Sequence, residues 1–209
     1  MECQNNYTPE PNIFQLEPPP PDLNLIRAFA NLLLKPEDGC IEVRVLGNPT
    51  RVGFFDDSEA LVQAVLPFNG KAAIYVGLNP REKSLLGTAP NRLVARINGG
   101  TTEHVLSRRW LAIDLDPVRP ANTSSSQEEL DSAIGLQAAI QADLRGRGIA
   151  PLQGLSGNGA HLLIPTIAYP TPRIWGGSND DPFGLILRWL GRRYSTERVK
   201  VDSTTFDAP

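Results

Sequence analysis

Arg109-Trp110-Leu111-Ala112-Ile113-Asp114-Leu115-Asp116-Pro117 is an apolar run that ends in two acids one residue apart, and its reading decides the fold. Successive side chains on a strand point to opposite faces, so Asp114 and Asp116 share one face at the strand's end. Two carboxylates so placed repel each other, because each disfavours ionisation of its neighbour. For the pair alone two readings stay open. A hard divalent cation held by oxygen ligands would relieve the repulsion, or both acids stand in a solvated loop just past a core strand.

Downstream, Pro120 to Ser126 reads as a loop, and Ser125-Ser126-Gln127-Glu128-Glu129 holds two overlapping S-x-x-E capping boxes. A helix is expected from there to about Arg147, burying Leu130, Ile134 and Leu144, with Gly146 and Gly148 as its stop. Pro151 to Leu155 reads as a strand, Ser156-Gly157-Asn158-Gly159 as a tight turn and His161 to Pro165 as the partner strand. Asp181-Pro182 sets a cap followed by proline at the first helical position, opening an amphipathic helix with Phe183, Ile186, Leu187 and Leu190. Val199 to Asp202 is the last strand. The order from Arg109 is strand, helix, strand, strand, helix, strand, which is the split βαβ or ferredoxin-like arrangement shared by RNA-recognition domains. In its usual sheet order the first strand lies between the third and fourth, both antiparallel to it. Asp114, Asp116, His161, Asp202 and the turn holding Ser156 would then gather at one sheet edge.

Upstream, residues 1–21 end in Pro18-Pro19-Pro20-Pro21 and read as an extended, mobile leader. Asp22 can cap a helix with Leu25, Ile26, Phe29, Leu32 and Leu33 at helical spacing, ended by Pro36. Cys40 to Leu46 alternates apolar and charged residues as a half-buried strand does. Glu42 and Arg44 share one of its faces, either in a cross-strand ion pair, which is favoured, or as the lining of a cleft. Arg51 to Phe55 is a second strand, Asp56-Asp57 can start a helix through Val65, and Ala72 to Leu78 is a third strand. Arg81 to Leu106 is polar and long for a structureless loop. The expected class is α+β: an N-terminal α/β lobe over residues 22–106 packed against an RNA-recognition-like lobe over residues 107–209, with the active site between them.

At 209 residues, 41% hydrophobic and 21% charged, the chain has the composition of a soluble globular protein with room for a real core. It carries no apolar run near the ~20 residues of a membrane span and no basic, apolar start of signal-peptide type, so no membrane partner and a cytoplasmic location are expected. Cys3 and Cys40 are too few for a disulfide framework. The net charge of -3 gives no global attraction to nucleic acid. Basic residues gather in the second half, however, and Arg188, Arg192 and Arg193 are candidate nucleic-acid contacts, with solvated faces as the competing reading.

The chemistry of the gathered residues is coherent. Three carboxylates, Asp114, Asp116 and Asp202, can hold two Mg²⁺ or Mn²⁺ ions that bridge an attacking hydroxyl and a triphosphate. The glycine turn, Ser156 to Gly159, lets backbone N–H groups approach phosphate oxygens, and Ser156 and His161 can donate further hydrogen bonds. His104, in the unassigned loop, carries no such context.

The ordered trio Ile113-Asp114-Leu115-Asp116, Ser156-Gly157-Asn158-Gly159-Ala160-His161 and Val201-Asp202 resembles the three motifs of the archaeo-eukaryotic primase superfamily. With Ile41-Glu42-Val43-Arg44 and Tyr75-Val76-Gly77-Leu78-Asn79-Pro80, the text over roughly residues 39–209 looks like the primase-polymerase domains of phages, plasmids and prophages. The resemblance implies template-directed joining of nucleotides by a DNA primase or DNA polymerase, with nucleoside triphosphates as substrates. It also implies Asp114, Asp116 and Asp202 as metal ligands and catalytic residues, and Ser156, Gly157, Asn158, Gly159 and His161 on the incoming nucleotide. A single-stranded DNA template, a primer and a helicase, fused or separate, are the implied partners. Members of this branch continue after the late acid into a basic, glycine-containing segment, whereas this chain stops at Pro209. Two rivals remain. Asp114-Leu115-Asp116-Pro117-Val118 also fits the D-x-D-x-V pattern of haloacid-dehalogenase-like phosphohydrolases, in which the first aspartate is a nucleophile. A nucleic-acid-binding module or a primase relative without catalysis is the other, although Trp110 alone offers a base-stacking ring on the expected strands.

Overall fold

Asp22 opens the first helix, its Oδ1 accepting from the backbone N–H groups of Asn24 and Leu25, both at 3.0 Å. This helix, α1, spans Leu23–Leu33. The structure, a computed structural model, describes residues 20–121, 123–170 and 181–203. Most of the expected leader therefore lies outside the described residues. The chain is an α+β protein with two antiparallel four-stranded sheets and, among the described residues, four α-helices. None of those helices is long and apolar enough to cross a membrane.

The first sheet contains β1 (Ile41–Val45), β2 (Arg51–Phe55), β3 (Ile74–Val76) and β4 (Val94–Ala95), in the order β3-β1-β2-β4. Period-2 alternation turns Ile41 and Val43 inward against α1 and α2 (Ser58–Val65), the latter capped by Asp57 through the N–H of Ala60. On the opposite face Glu42 is only 3% exposed. Its carboxylate meets Arg44 Nε, lies 3.0 Å from Arg81 Nε and accepts from Gly100 N–H at 3.1 Å, so an ion pair forms as favoured, but within β1 and to the loop after β3 rather than across strands. A buried carboxylate survives only with such partners. Gly99 and Gly100 let the covering loop approach, for a Cβ at Gly99 would stand 2.3 Å from both Arg44 Nη2 and Glu42 Oε1. The polar stretch from Arg81 to Leu106 is thus held by a buried ion pair, with 3-10 turns at Lys83–Gly87 and Thr102–His104. His104 is structural, its Nδ1 accepting from Thr101 N–H at 3.0 Å.

The second sheet contains β5 (Ser107–Pro117), β6 (Leu152–Leu155), β7 (Ala160–Pro170) and β8 (Val199–Asp202), in the order β6-β7-β5-β8. Helices α3 (Gln127–Gly146) and α4 (Pro182–Tyr194) share its core with Leu111, Ile113 and Leu115 of β5. Ile113 and Leu115 are 0% exposed, each contributing about 2 kcal/mol of apolar burial. The capping box at Ser126 and Glu129 forms as expected, and Gly148 at φ 78° follows the end of α3. Three expectations need correction. The inward stripe of α3 is Ala133, Gln137, Ile140, Gln141 and Leu144, so Leu130 and Ile134 stand at its margins. In α4, Phe183, Gly184, Leu187 and Leu190 are buried while Ile186 is 44% exposed. Strand β7 continues past Pro165, because β6 pairs only as far as Leu163 and the missing N–H of proline falls beyond that neighbour's end.

The cores of the two sheets come together along β5. Trp110 packs against the core beside the first sheet, Arg109 forms an ion pair with Asp38, and the backbone N–H of Arg109 donates to Asn79 Oδ1 at 2.8 Å. A register shift between Arg108 and Trp110 separates these contacts from Arg108, which is buried against Asp181 and 4.3 Å from the centre of the Phe183 ring.

Candidate functional site

Strand alternation that sends Ile113 and Leu115 toward α3 and α4 sends Asp114 and Asp116 to the other face. On that face Asp114 is the register partner of His161 on β7 and of Asp202 on β8, and His161 is in turn opposite Gly154 on β6. One row across the sheet therefore reads Gly154, His161, Asp114, Asp202. Direct cross-strand neighbours have Cβ atoms about 5 Å apart, close enough for their charges to act on one another. Lys200 faces Asp116 in register.

His161 Nδ1 lies 3.1 Å from Asp114 Oδ1, in ion-pair contact but out of line for a hydrogen bond, and that buried oxygen has no hydrogen-bond partner. The contact with Asp114 raises the His161 pKa above the ordinary imidazole value against the opposing effect of burial, with the Asp114 and Asp116 charges adding to it. Asp116 is also pushed up, first by burial and then by the charges of Asp114 and, further off, Asp202, while Arg119 and His161 oppose the rise. Repulsion between acids on one strand face is thus present, as the sequence implies.

The turn between β6 and β7 is built on Ser156. Its Oγ accepts from Gly159 N–H at 3.0 Å and from Asn158 N–H at 3.4 Å, and Gly157 adopts φ 81°. Gly159 presses on the end of β5, where a Cβ would stand 2.6 Å from Leu115 O and 3.3 Å from Asp116 Oδ1. Asn158 Oδ1 accepts from Ser125 N–H at 3.2 Å and so ties the turn to the approach of α3. The fold brings Asp114, Asp116, Asp202, His161 and Gly159 to one edge. The Ser156 hydroxyl and the Asn158 carboxamide oxygen are at that edge too, already engaged within the protein.

Two residues at the site were not singled out by the sequence reading. Gln137 reaches from α3 to donate Nε2–H to His161 O at 2.7 Å and Gly154 O at 3.0 Å, fixing the hairpin that carries His161. A polar residue in the inward stripe of a helix is its only signal. Arg119, three residues past Asp116, bonds to backbone on both sides of the site; its signal is a lone cation directly after an acidic pair. Arg188, Arg192 and Arg193 lie on α4, the helix that covers the face opposite the acids, with Arg193 over the rings of Trp189 and Tyr194.

In donor chemistry the set suits a hard cation: three carboxylates, of which Asp114 has a buried oxygen without a hydrogen bond, beside the His161 imidazole. As the side chains stand, no group of three or more His, Cys, Asp or Glu among the described residues is arranged to hold a metal ion. No family model, curated protein or solved structure matches the chain.

Proposed function

We propose that the chain is a nucleotidyltransferase core of primase-polymerase type, extending a primer on a single-stranded DNA template. In this reading Asp114, Asp116 and Asp202 hold Mg²⁺ or Mn²⁺, and His161 with the Ser156 to Gly159 turn receives the nucleoside triphosphate. The observation that carries it is the register of β5, in which Asp114 has His161 on one side and Asp202 on the other. The order β6-β7-β5-β8, with both helices sharing a core on one face, favours a ferredoxin-like, RNA-recognition-like lobe. An antiparallel neighbour on each side of β5 speaks against the parallel-sheet phosphohydrolase reading.

In the transfer, the primer hydroxyl oxygen bonds to the α-phosphorus. The bond from that phosphorus to the bridging oxygen breaks, pyrophosphate leaves with the electron pair, and the hydroxyl proton passes to solvent. Asp114, Asp116 and Asp202 would hold the divalent cations, which would supply charge neutralisation for the transfer when bound. His161, favoured in its cationic form by Asp114 on Nδ1, has Nε2–H to offer a phosphate oxygen. Gln137 holds the hairpin so that this imidazole keeps its place. A helicase, fused or separate, is the partner expected for such a core in phage or mobile-element replication. The test is extension of a primed template with labelled nucleotides and Mn²⁺. Wild-type protein should extend, and Asp114→Ala with Asp116→Ala should not. Absence of extension by wild type, or extension surviving both substitutions, overturns the proposal.

A further inference from the structure

Beside the acids lies an open cavity of about 520 Å³, walled by Asp116, Arg119, Thr123, Ser124 and Asn158; the reading above gives a role to Asp116 and Asn158 and none to Arg119, Thr123 or Ser124. Arg119 is held firmly at its edge. Nε donates to Thr123 O at 3.0 Å, and Nη1 donates to Pro117 O at 3.3 Å and to Asn158 O at 3.4 Å. These carbonyls come from the strand end, the connection after it and the glycine turn, so the guanidinium is a crosspiece between the two loops. Carbonyls orient a cation without neutralising it. Among the described residues no carboxylate stands within ion-pair distance of Arg119. Asp116 and Glu129 act on it from further off, and the Glu129 carboxylate is already engaged by the N–H and hydroxyl of Ser126.

The cation is fixed in orientation, and Nη2, outside all three bonds, keeps its hydrogens for a charge-assisted contact with a phosphate oxygen. The rest of the wall agrees. Ser124 offers a hydroxyl and Asn158 a carboxamide N–H, while the Thr123 hydroxyl donates to Pro120 O at 2.7 Å, and among the described residues the wall has no aromatic ring on which a base could stack. The volume falls within the range of small-ligand sites. We infer that Arg119 anchors the β- and γ-phosphates of the bound nucleoside triphosphate in this cavity and makes the site selective for triphosphates over monophosphates. The assignment rests on the nucleotidyl-transfer reading for its nucleoside end, while an anion site at Arg119 can be tested without it.

The test is calorimetric titration of the full chain with ATP, dATP, AMP and inorganic tripolyphosphate, each with Mn²⁺, alongside primer extension. Arg119→Ala should weaken ATP or dATP and tripolyphosphate about 10- to 100-fold, the loss expected for a charge-assisted contact. It should leave AMP unchanged, and Arg119→Lys should recover part of the loss. Ser124→Glu, at an exposed wall position, should weaken the same ligands without touching Arg119, which keeps the question open to test if Arg119→Ala fails to fold. A triphosphate-to-monophosphate affinity ratio unchanged in these variants overturns the inference, as does wild-type protein that binds none of the four ligands. Tripolyphosphate binding lost with Arg119 in a protein that extends no primer supports the anion site and rejects the transfer reading. Extension by wild type with the ratio unchanged in Arg119→Ala does the reverse.

Discussion

Gly159→Ala tests the join between the glycine turn and the acidic strand. The new methyl would stand 2.6 Å from Leu115 O, against 3.4 Å or more for ordinary contact, so the two strands must part by about 0.8 Å at that point. The carbonyl cannot retreat freely, because Leu115 is paired on both sides, with Ala160 of β7 and Val201 of β8. Overpacking against fixed backbone costs about 1–3 kcal/mol. For a chain of this size 1 kcal/mol moves the melting temperature by about 2–4 °C, so a loss of about 4–8 °C is expected for the middle of that range. Gly154→Ala is the matched control on the same hairpin, since its Cβ would meet His161 Cβ at an ordinary 3.7 Å. Thermal and urea unfolding of both variants beside wild type decide the matter. If Gly159→Ala unfolds with wild type, or no earlier than Gly154→Ala, the claim that the turn is wedged against Leu115 is wrong.

Two further outcomes follow from charge. Asp116 has a raised folded-state pKa, so the native protein holds this proton more tightly than the unfolded chain does; the resulting stability is greatest at low pH and is lost as pH rises through the interval from the ordinary carboxylate value to the folded one. Asp116→Asn should therefore unfold at a higher urea concentration than wild type at pH 7, with the difference shrinking toward about pH 4; a less stable variant at pH 7 would contradict the repulsion. Glu42→Gln leaves Arg81, 1% exposed, without its compensating carboxylate and should cost about 3–5 kcal/mol by urea unfolding, whereas a loss below about 1 kcal/mol would show that Arg81 is not held by this pair.

The parts of the fold that declare themselves locally were legible in the chain. Asp22, Ser126 with Glu129, and Asp181 each cap the helix expected of them, because a cap needs only residues within one turn. Strand alternation in β5 put both acids on one face, and the strand order then predicted which residues would meet them. The misreadings have a common cause, which is that a partner distant in sequence decided the outcome. Gln137 and Gln141 interrupt the apolar stripe of α3, and Gln137 is there because two carbonyls of the hairpin need its amide. The stretch from Arg81 to Leu106 has no periodicity since its anchor is Glu42, a residue of another strand. Pro165 looked like a strand end, and only the shortness of β6 explains why it is not. For the site, the residue types were readable; the engagement of Ser156 within its own turn and the bridging role of Arg119 were not.

Strand β5 carries Trp110 into one interior and Ile113 and Leu115 into another, so a single segment is a party wall between two cores. Drawing the two cores apart would pull an indole from its apolar seat, at about 2 kcal/mol for that side chain alone. That wall is consequently stiff, and the acids sit on it. At the rim the Ser156 to Gly159 turn and the connection carrying Arg119 are joined by hydrogen bonds, from Arg119 and Ser125 to Asn158. It follows, too, that cutting the chain at Leu106 would not release two self-sufficient halves: the first would lose Trp110, a piece of its own interior.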